Sequence, residues 1–388
     1  MPDCEKLKVV IASMAPFVGG AEIAAERLAL GLAEAGHEVT VLLGTHGAVL
    51  ARMQSAGLTC LHADMFLTDK WHWWRYTKAR NRLRRILRDL QPDLVHSNDL
   101  PTHQVISDAV RGTGILEICH HRWIFPGAAI DWLNKYGSAH HLFVSKALMK
   151  ELCANSPSLQ ASSRSVVYDG LPLPGKPSAE DRADARERLR LPAAKTIVAF
   201  AGQMIERKGV ADLLQAWAVL ENEVREDAEL LLIGDDLTGE GNYRLEMEKL
   251  GGNLGITARF VGFQKNVGDW LQASDIAVVP SHVEPLGNAT LEAMAYCLPV
   301  IGSTAGGIPE MIVNEETGLL IPPRSPRALK EALKRLIADK GTRVRLGNQG
   351  RQRCEEHFSL AAHVRSVVAE YHRVLSMKTA REIPVAVS

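Results

Sequence analysis

Short apolar runs alternate with longer amphipathic segments along most of the chain. Residues 7–12, 39–43 and 276–279 are rich in Val, Ile and Leu, and their length is typical of buried strands. Residues 21–35 instead carry apolar side chains at the spacing of one helix face. Strand, turn, helix and strand in succession form a βαβ unit, which requires a parallel sheet. The pattern therefore predicts an α/β fold.

The alternation of strands and helices occurs twice, which predicts two domains in a chain of 388 residues. We expect the first domain at 1–170 and the second at 195–358. Residues 171–194 are predicted to link them, because 171–177 are rich in proline and glycine. A last helix is predicted at 359–378.

Charge and cysteine content exclude several classes of protein. The 45 basic and 45 acidic residues cancel, which gives no support for a nucleic-acid partner. The six cysteines form no Cys-x-x-Cys pair, which favours reduced, mostly buried thiols over a disulfide framework or a zinc site. Asp3 and Glu5 argue against a signal peptide, and no apolar run has the length of a membrane span. A cytoplasmic location is expected.

The most informative stretch follows the apolar run at 276–279. Seven residues separate Glu284 from Glu292, and a helix is predicted to begin between them. Backbone N–H groups at a helix N-terminus bind anions with the help of the helix dipole. Carboxylates beside such a site accept hydrogen bonds from hydroxyl groups, so the stretch predicts a phosphate attached to sugars, as in a nucleotide-sugar. The residues assigned to this donor site are Gly287, Asn288, Ala289, Thr290, Leu291 and Glu292.

A second loop offers cations to the same kind of ligand. The apolar run at 196–201 is followed by Gly202, Gln203, Arg207 and Lys208, and then by an amphipathic helix. Arginine binds phosphate oxygens as a fork and lysine acts as a point charge, so this loop suits a diphosphate. The alternative is a solvated pair of charges before a helix.

These motifs carry a family resemblance. Glu-x7-Glu, followed by Ala-Met-Ala, Leu-Pro-Val at 298–300 and Gly-Gly-Ile-Pro-Glu at 306–310, resembles the signature of the retaining family-4 glycosyltransferases of GT-B fold. The resemblance implies two Rossmann-like domains with a deep interdomain cleft. The first would bind the acceptor and the second the nucleotide-sugar, and the last helix would cross back to the first. It also implies sugar transfer with retention at the anomeric carbon.

Roles for individual residues follow from the resemblance. Arg207 and Lys208 are expected to stabilise the departing diphosphate together with the helix N-terminus. Glu292 would bind the ribose diol, and Glu284 would hold sugar hydroxyls and stabilise charge on the ring. The family usually has an arginine where this chain has Gln203, so either Arg207 supplies the second cation or pyrophosphate binding is weaker. No cofactor or metal is expected, because no Asp-x-Asp is placed as a metal site.

Three further positions are candidates. Gly19 and Gly20 precede the first predicted helix, where the resemblance places them facing donor phosphates and acceptor; by themselves they are equally consistent with a simple turn. His120 directly follows the apolar run 115–119, and the resemblance places it against the donor sugar in preference to His121. Phe263 follows another predicted strand and is expected either to stack on the nucleobase or to belong to the core.

An unusual segment combines tryptophans with basic residues. Trp71, Trp73, Trp74 and Arg75 begin a stretch without an acidic residue up to Arg88. Such a composition is typical of a helix lying on an anionic lipid surface, which would place the protein at the inner face of the membrane. The alternative is a solvated basic face whose aromatic residues pack on a neighbouring loop.

We therefore expect a glycosyltransferase with a UDP-sugar as the favoured donor and a sugar or lipid-linked acceptor, in the synthesis of cell-surface polysaccharide or glycolipid. Two alternatives remain open. One is a GT-B sugar-nucleotide epimerase or hydrolase, and the other is a nucleotide-sugar binder without activity.

Overall fold

The computed structural model describes residues 5–68, 73–236 and 242–382, with the backbone alone for 378–382. The chain divides into two compact units. The first comprises Met1–Pro172 and Ser359–Ser388, and the second comprises Leu173–Phe358. Both units are built of parallel strands and helices, so the predicted α/β fold with two units is confirmed.

In its described part, the first unit contains one sheet of seven parallel strands: β1 (Lys8–Ser13), β2 (Glu38–Leu43), β3 (Thr59–His62), β4 (Leu94–Ser97), β5 (Leu116–His121), β6 (His140–Phe143) and β7 (Arg164–Val166). Their order in the sheet is β3-β2-β1-β4-β5-β6-β7. Helices before residue 172 are α1 (Gly20–Glu34), α2 (Ala48–Ser55), α3 (Trp73–Leu90), α4 (Leu100–Val110), α5 (Gly127–Leu133), α6 (Lys146–Ala154) and α7 (Pro157–Gln160).

Both faces of this sheet are covered by helices. Val9 and Ile11 belong to a core that includes Leu28 of α1, whereas Val10 belongs to a separate core that includes Leu83 of α3. Successive side chains of a strand point to opposite faces, so one strand supplies both cores. A sheet buried on both faces needs continuous apolar strands, which is why they could be found from sequence.

The described part of the second unit contains a sheet of six parallel strands: β8 (Thr196–Ala201), β9 (Ala228–Ile233), β10 (Ala258–Gly262), β11 (Ile276–Val279), β12 (Val300–Ser303) and β13 (Gly318–Ile321). Their order is β10-β9-β8-β11-β12-β13. The helices are α8 (Ala179–Leu189), α9 (Val210–Ala218), α10 (Asn222–Glu226), α11 (Asn242–Asn253), α12 (Val267–Ala273), α13 (Asn288–Ala295), α14 (Ile308–Met311), α15 (Pro326–Ala338) and α16 (Lys340–His357).

The segment 171–194, predicted as a linker, differs from that expectation because it contains α8. Ser178 and Asp181 cap this helix reciprocally, with side chain to backbone distances of 3.0 and 2.8 Å. Arg186 then pairs with Asp275 at 2.5 Å, which fixes α8 to the second unit. Only Ala185 of this helix is buried, so no apolar periodicity marked it in the sequence.

The last helix, α17 (Leu360–Glu382), belongs to the first unit. Val367 and Tyr371 of α17 are fully buried in the core that contains Leu28 and Leu32 of α1. The helix extends four residues beyond the predicted end at 378.

Candidate functional site

Except for Phe263, the candidate residues of the second unit lie on loops that follow three neighbouring strands, or in the helix that begins after one of these loops. β8, β11 and β12 are adjacent in the sheet. The loops 202–209, 280–287 and 304–307 leave their carboxyl ends. In parallel α/β sheets this edge is where ligands bind.

Lys208 and Glu284 form the centre of this site. The ammonium Nζ of Lys208 lies 2.5 Å from Oε2 of Glu284, and the Ser281 hydroxyl donates to the same oxygen at 3.1 Å. Arg207 Nη1 lies 4.0 Å from that oxygen. The buried carboxylate is therefore compensated by two cations, and the three charged groups together carry one net positive charge.

Two glycines allow these loops to approach each other. A Cβ at Gly209 would lie 2.2 Å from the carbonyl oxygen of Pro280, and one at Gly306 would lie 1.7 Å from that of Glu284. Both also have positive φ, +72° and +51°. Since a side chain would collide with backbone at either position, only glycine permits this arrangement.

His282 was not found by the sequence reasoning. Its backbone N–H donates to the Arg207 carbonyl at 2.7 Å, and its ring Nε2 lies 2.6 Å from Oδ2 of Asp212 on α9. His282 thus joins the Glu284 loop to the cation loop. Its place two residues before Glu284 was visible in the sequence, but the partner Asp212 is 70 positions away.

Helix α13 begins beside this centre, with Gly287 as its N-cap residue. The amide of Thr290 donates to the Gly287 carbonyl at 2.8 Å. The expectation that this amide points at an anion is therefore wrong, because a turn closes on it. Asn288 and Ala289 occupy the helix N-terminus. Leu291 is buried in the helix, and Glu292 is partly exposed one turn into it.

The remaining donor-site candidates lie along the same sheet edge. Gly202 and Gln203 directly follow β8, and both are partly exposed. Phe263 directly follows β10 and is 64% exposed. The alternative that Phe263 belongs to the core is therefore excluded.

Gly19 and Gly20 lie at the start of α1 in the first unit. The Gly19 amide donates to Oε2 of Glu22 at 3.0 Å, and Gly19 is the N-cap residue of the helix. Burial raises the pKa of the Glu22 carboxyl. The Glu22 carboxylate therefore accepts the hydrogen bond of one amide at the N-terminus of α1, so this amide has a partner within the protein.

His120 differs from its predicted position, because it lies inside β5 and not after it. Its ring is fully buried, with Nδ1 3.2 Å from His96 Nε2 and 3.2 Å from Arg122 Nη2. Arg122 also donates to Asn98 at 2.9 Å and pairs with Asp169. Burial and the Arg122 cation keep the pKa of His120 well below the usual range.

His121 points to the opposite face of the strand. Its Nε2 lies 2.9 Å from Nδ1 of His141, and these two rings and Cys119 place metal-ligand atoms within 4.8 Å of one another. Among the described residues, this is a group of the kind that binds soft cations. No cluster was visible in sequence, because Cys119 and His141 become neighbours only through the register of β5 and β6.

The tryptophan and basic residues of α3 form an exposed surface. Trp73 and Trp74 are 65% and 57% exposed, and with Lys78, Arg82 and Arg85 they line a groove of about 540 Å³. These two aromatic residues therefore do not pack into a core. None of the helices in the described part of the chain is long and apolar enough to cross a membrane.

Arg75, the next candidate, places its guanidinium 6.0 Å from the Trp74 ring centroid and 5.4 Å from that of Phe66. Trp71 lies outside the described residues.

Two α/β units, with cations and a helix N-terminus gathered at the strand ends of the second, define a GT-B type of glycosyltransferase. Residues 18–173 match the model described as Glycosyltransferase Family 4, and residues 181–353 match that of Glycosyl transferases group 1. The chain therefore belongs to the family-4 glycosyltransferases, enzymes that transfer sugars.

Individual relatives agree with this assignment. An uncharacterized glycosyltransferase of Methanocaldococcus jannaschii is 27% identical over 93% of this chain and 96% of its own. The lipopolysaccharide core biosynthesis glycosyltransferase LpsE of Rhizobium meliloti is 32% identical, but the match spans only 48% of this chain and 52% of LpsE. The crystal structure of Anabaena HepE in complex with UDP and glucose matches 94% of this chain and 99% of HepE, with a TM-score of 0.82 and 19% identity.

Proposed function

We propose that the second unit binds a UDP-sugar and that the enzyme transfers its sugar with retention at the anomeric carbon. The observation that carries the proposal is the convergence of Lys208, Arg207 and Glu284 beside the N-terminus of α13. The three side chains leave one net positive charge, to which the helix dipole adds about half a unit. A diphosphate carries charge of the opposite sign and is therefore attracted to this place.

The sheet order supports an extended nucleotide along this edge. Phe263 follows β10 and Lys208 follows β8, and one strand, β9, lies between them. At about 4.8 Å per strand the two loops are about 10 Å apart. A uracil on Phe263 and a diphosphate at Lys208 and Arg207 fit that separation, with Glu292 binding the ribose diol. The UDP in the HepE structure supports this choice of base.

In the proposed reaction the bond between the anomeric carbon and the diphosphate oxygen breaks, and a bond to an acceptor oxygen forms on the same face. The acceptor hydroxyl gives its proton to a phosphate oxygen of the donor. Arg207, Lys208 and the helix N-terminus stabilise the departing charge in place of a divalent ion. Glu284 holds sugar hydroxyls. Because Lys208 pairs with Glu284 and also binds the diphosphate, it places the Glu284 carboxylate beside the leaving group.

The donor is tested by incubating the full chain with UDP-, GDP- and ADP-sugars and measuring the released nucleotide, with and without EDTA. We expect UDP-sugars to react and EDTA to have no effect. Glu292→Ala should raise the KM for the donor, with Glu356→Ala on α16 as an exposed control. Turnover that is unchanged in both Glu292→Ala and Lys208→Ala would contradict the site.

Two further readouts distinguish the alternatives. Release of nucleotide that requires an added acceptor separates a transferase from a hydrolase or epimerase. The anomeric configuration of the product, determined by NMR, separates retention from inversion. A product of inverted configuration would overturn the proposed mechanism while leaving the donor site intact.

We also propose that the α3 surface binds anionic lipid and brings a lipid-linked acceptor to the enzyme. Trp73 and Trp74 are exposed beside Lys78, Arg82 and Arg85, and each cation near an anionic surface contributes about 1 kcal/mol. The core-facing residues Tyr76 and Leu83 hold the other side of α3 in the protein. The helix therefore presents its aromatic and basic residues outward. The role of LpsE in lipopolysaccharide synthesis supports an acceptor of this type.

Sedimentation with vesicles tests this surface. Binding to vesicles with phosphatidylserine, but not to neutral vesicles, is expected for the wild type. Arg82→Glu with Arg85→Glu should abolish it, since two cations are lost and two anions gained. Lys146→Glu with Lys150→Glu on α6 makes the same change of charge elsewhere and should bind normally. Equal loss in both double variants would show a general charge effect and overturn the proposal.

A further inference from the structure

The hydrogen bonds around His120 determine where its proton lies. Arg122 Nη2 lies 3.2 Å from Nδ1 of His120, and a guanidinium only donates. Nδ1 must therefore be the bare, accepting nitrogen of the ring. The doubly protonated form is excluded as well, because it would carry a second donor on Nδ1 facing the guanidinium. The single ring proton of His120 is left on Nε2.

The same constraint extends to the last helix. His96 Nε2 lies 3.2 Å from the bare Nδ1 of His120, so His96 must donate through Nε2. Nδ1 of His96 is then the acceptor for the Tyr371 hydroxyl at 2.7 Å. Burial and the Arg122 cation lower the pKa of His96 to about 3, which keeps it neutral as this chain of bonds requires. One guanidinium thus orders the protons of two imidazoles and a phenol.

The proton of His120 has no acceptor in the described part of the protein. Its Nε2 is buried and has no hydrogen-bond partner there. A buried donor without a partner costs about 1–3 kcal/mol, and it is expected where a ligand supplies the acceptor. In the described part of the chain both hydrogen-bond contacts of this ring are made at Nδ1, so the network leaves Nε2–H as the group presented to a ligand.

We infer that Arg122 is a positioning residue that holds His120 in the Nε2–H tautomer, as a hydrogen-bond donor to an oxygen of a bound sugar substrate. The identity of that ligand rests on the proposed function, whereas the tautomer does not. His120 then neither removes nor delivers a proton. It stabilises charge or orients a hydroxyl through a fixed N–H.

Histidine NMR of the full chain tests the tautomer without substrate. Protein labelled with ¹⁵N in its histidines shows which ring nitrogen carries the proton, and His120→Gln identifies the His120 signals. We expect a protonated Nε2 and a bare Nδ1 at neutral pH. A proton on Nδ1, or on both nitrogens at neutral pH, would overturn the inference whether or not the enzyme accepts UDP-sugars.

A second variant tests the part played by Arg122. Arg122→Met together with Asp169→Asn removes the donor and its buried counter-charge at once, so that neither is left unpaired. We expect the Nδ1-protonated form of His120 to appear, because the donor that faces Nδ1 is gone. Arg351→Met, which removes another buried arginine, should leave the His120 signals unchanged. An unchanged His120 spectrum in the folded Arg122 variant would refute the positioning role of Arg122. If that variant does not fold, the wild-type spectrum still decides which tautomer His120 has.

Activity with UDP-glucose and acceptor provides the last readout. The amide nitrogen of Gln reaches the position of Nε2, whereas that of Asn reaches only Nδ1. His120→Gln should therefore retain most of kcat, and His120→Asn should lose about 100-fold or more. Equal losses in the two variants would contradict donation from Nε2, even with the donor site of the second unit fully active.

Discussion

The ion pair between Lys208 and Glu284 leads to a prediction that separates stability from catalysis. Lys208→Met removes the ammonium that lies 2.5 Å from Oε2 of Glu284. The carboxylate stays buried with the Ser281 hydroxyl and the more distant Arg207. We expect both activity and stability to fall in this variant.

The size of the stability loss follows from the burial of the pair. Breaking a buried ion pair by removing one partner costs about 3–5 kcal/mol. The Lys208 side chain is 14% exposed, and Arg207 at 4.0 Å still compensates Glu284. The loss should therefore be near the lower limit, about 3 kcal/mol. Lys208→Met with Glu284→Gln removes both charges and should return to within about 1 kcal/mol of the wild type, because no buried charge is left unpaired.

Urea unfolding of the two single variants and the double variant measures this coupling. The double-mutant cycle should give a coupling of at least about 2 kcal/mol between the sites, because the double variant recovers about 2 of the 3 kcal/mol lost in Lys208→Met, while it stays inactive. Arg335→Met breaks an exposed pair with Glu315 at 2.7 Å and should cost less than about 1 kcal/mol. A double variant no more stable than Lys208→Met alone would refute the interpretation that the buried charges of Lys208 and Glu284 compensate each other.

Three other predictions concern stability at low pH, the close contact between Gly306 and the Glu284 carbonyl, and the proposed diphosphate site. The pKa values of His96 and His121 are lowered to about 3 by burial, so their contribution to stability is complete above pH 6.5. The contribution of each histidine to the free energy of unfolding falls by about 1.4 kcal/mol per pH unit as the pH falls from 6.5 toward 3. Measuring Tm as a function of pH tests this expectation. Gly306→Ala should destabilise the protein by more than about 2 kcal/mol in urea unfolding, because its Cβ would collide with the Glu284 carbonyl, whereas Gly252→Ala meets open space and should not. Gln203→Arg should lower the KM for UDP-glucose about 10-fold by adding a charged donor, and Gln54→Arg, in the other unit, should leave it unchanged; an unaltered KM in both would place Gln203 away from the phosphates.

The sheets could be predicted from sequence because strands buried on both faces are apolar throughout. Residues 276–279 were predicted as a strand with the bounds that the structure gives to β11. Helix α8 could not be found in this way, since it buries one alanine and is held by caps and the Arg186 ion pair. Its partner Asp275 is 89 residues further on.

The site was predictable in its residue types but not in its pairing. Glycines and cations after a strand indicate a phosphate loop wherever they occur, so Lys208 could be identified locally. That its partner is Glu284, 76 residues away, depends on β8 and β11 being neighbours. The choice of His120 over His121 was based on a strand end placed two residues early, since β5 continues through His121.

The path of the chain also affects how the protein is made. Synthesis of the strands of the first unit is complete at residue 166, but Val367 and Tyr371 of its core follow only after the whole second unit. An emerging polypeptide therefore exposes the apolar side of α1 until Val367 and Tyr371 have been synthesised. Shortened products that end before residue 360 would carry that uncovered surface, so aggregation or proteolysis would remove them before they could compete for sugar nucleotides.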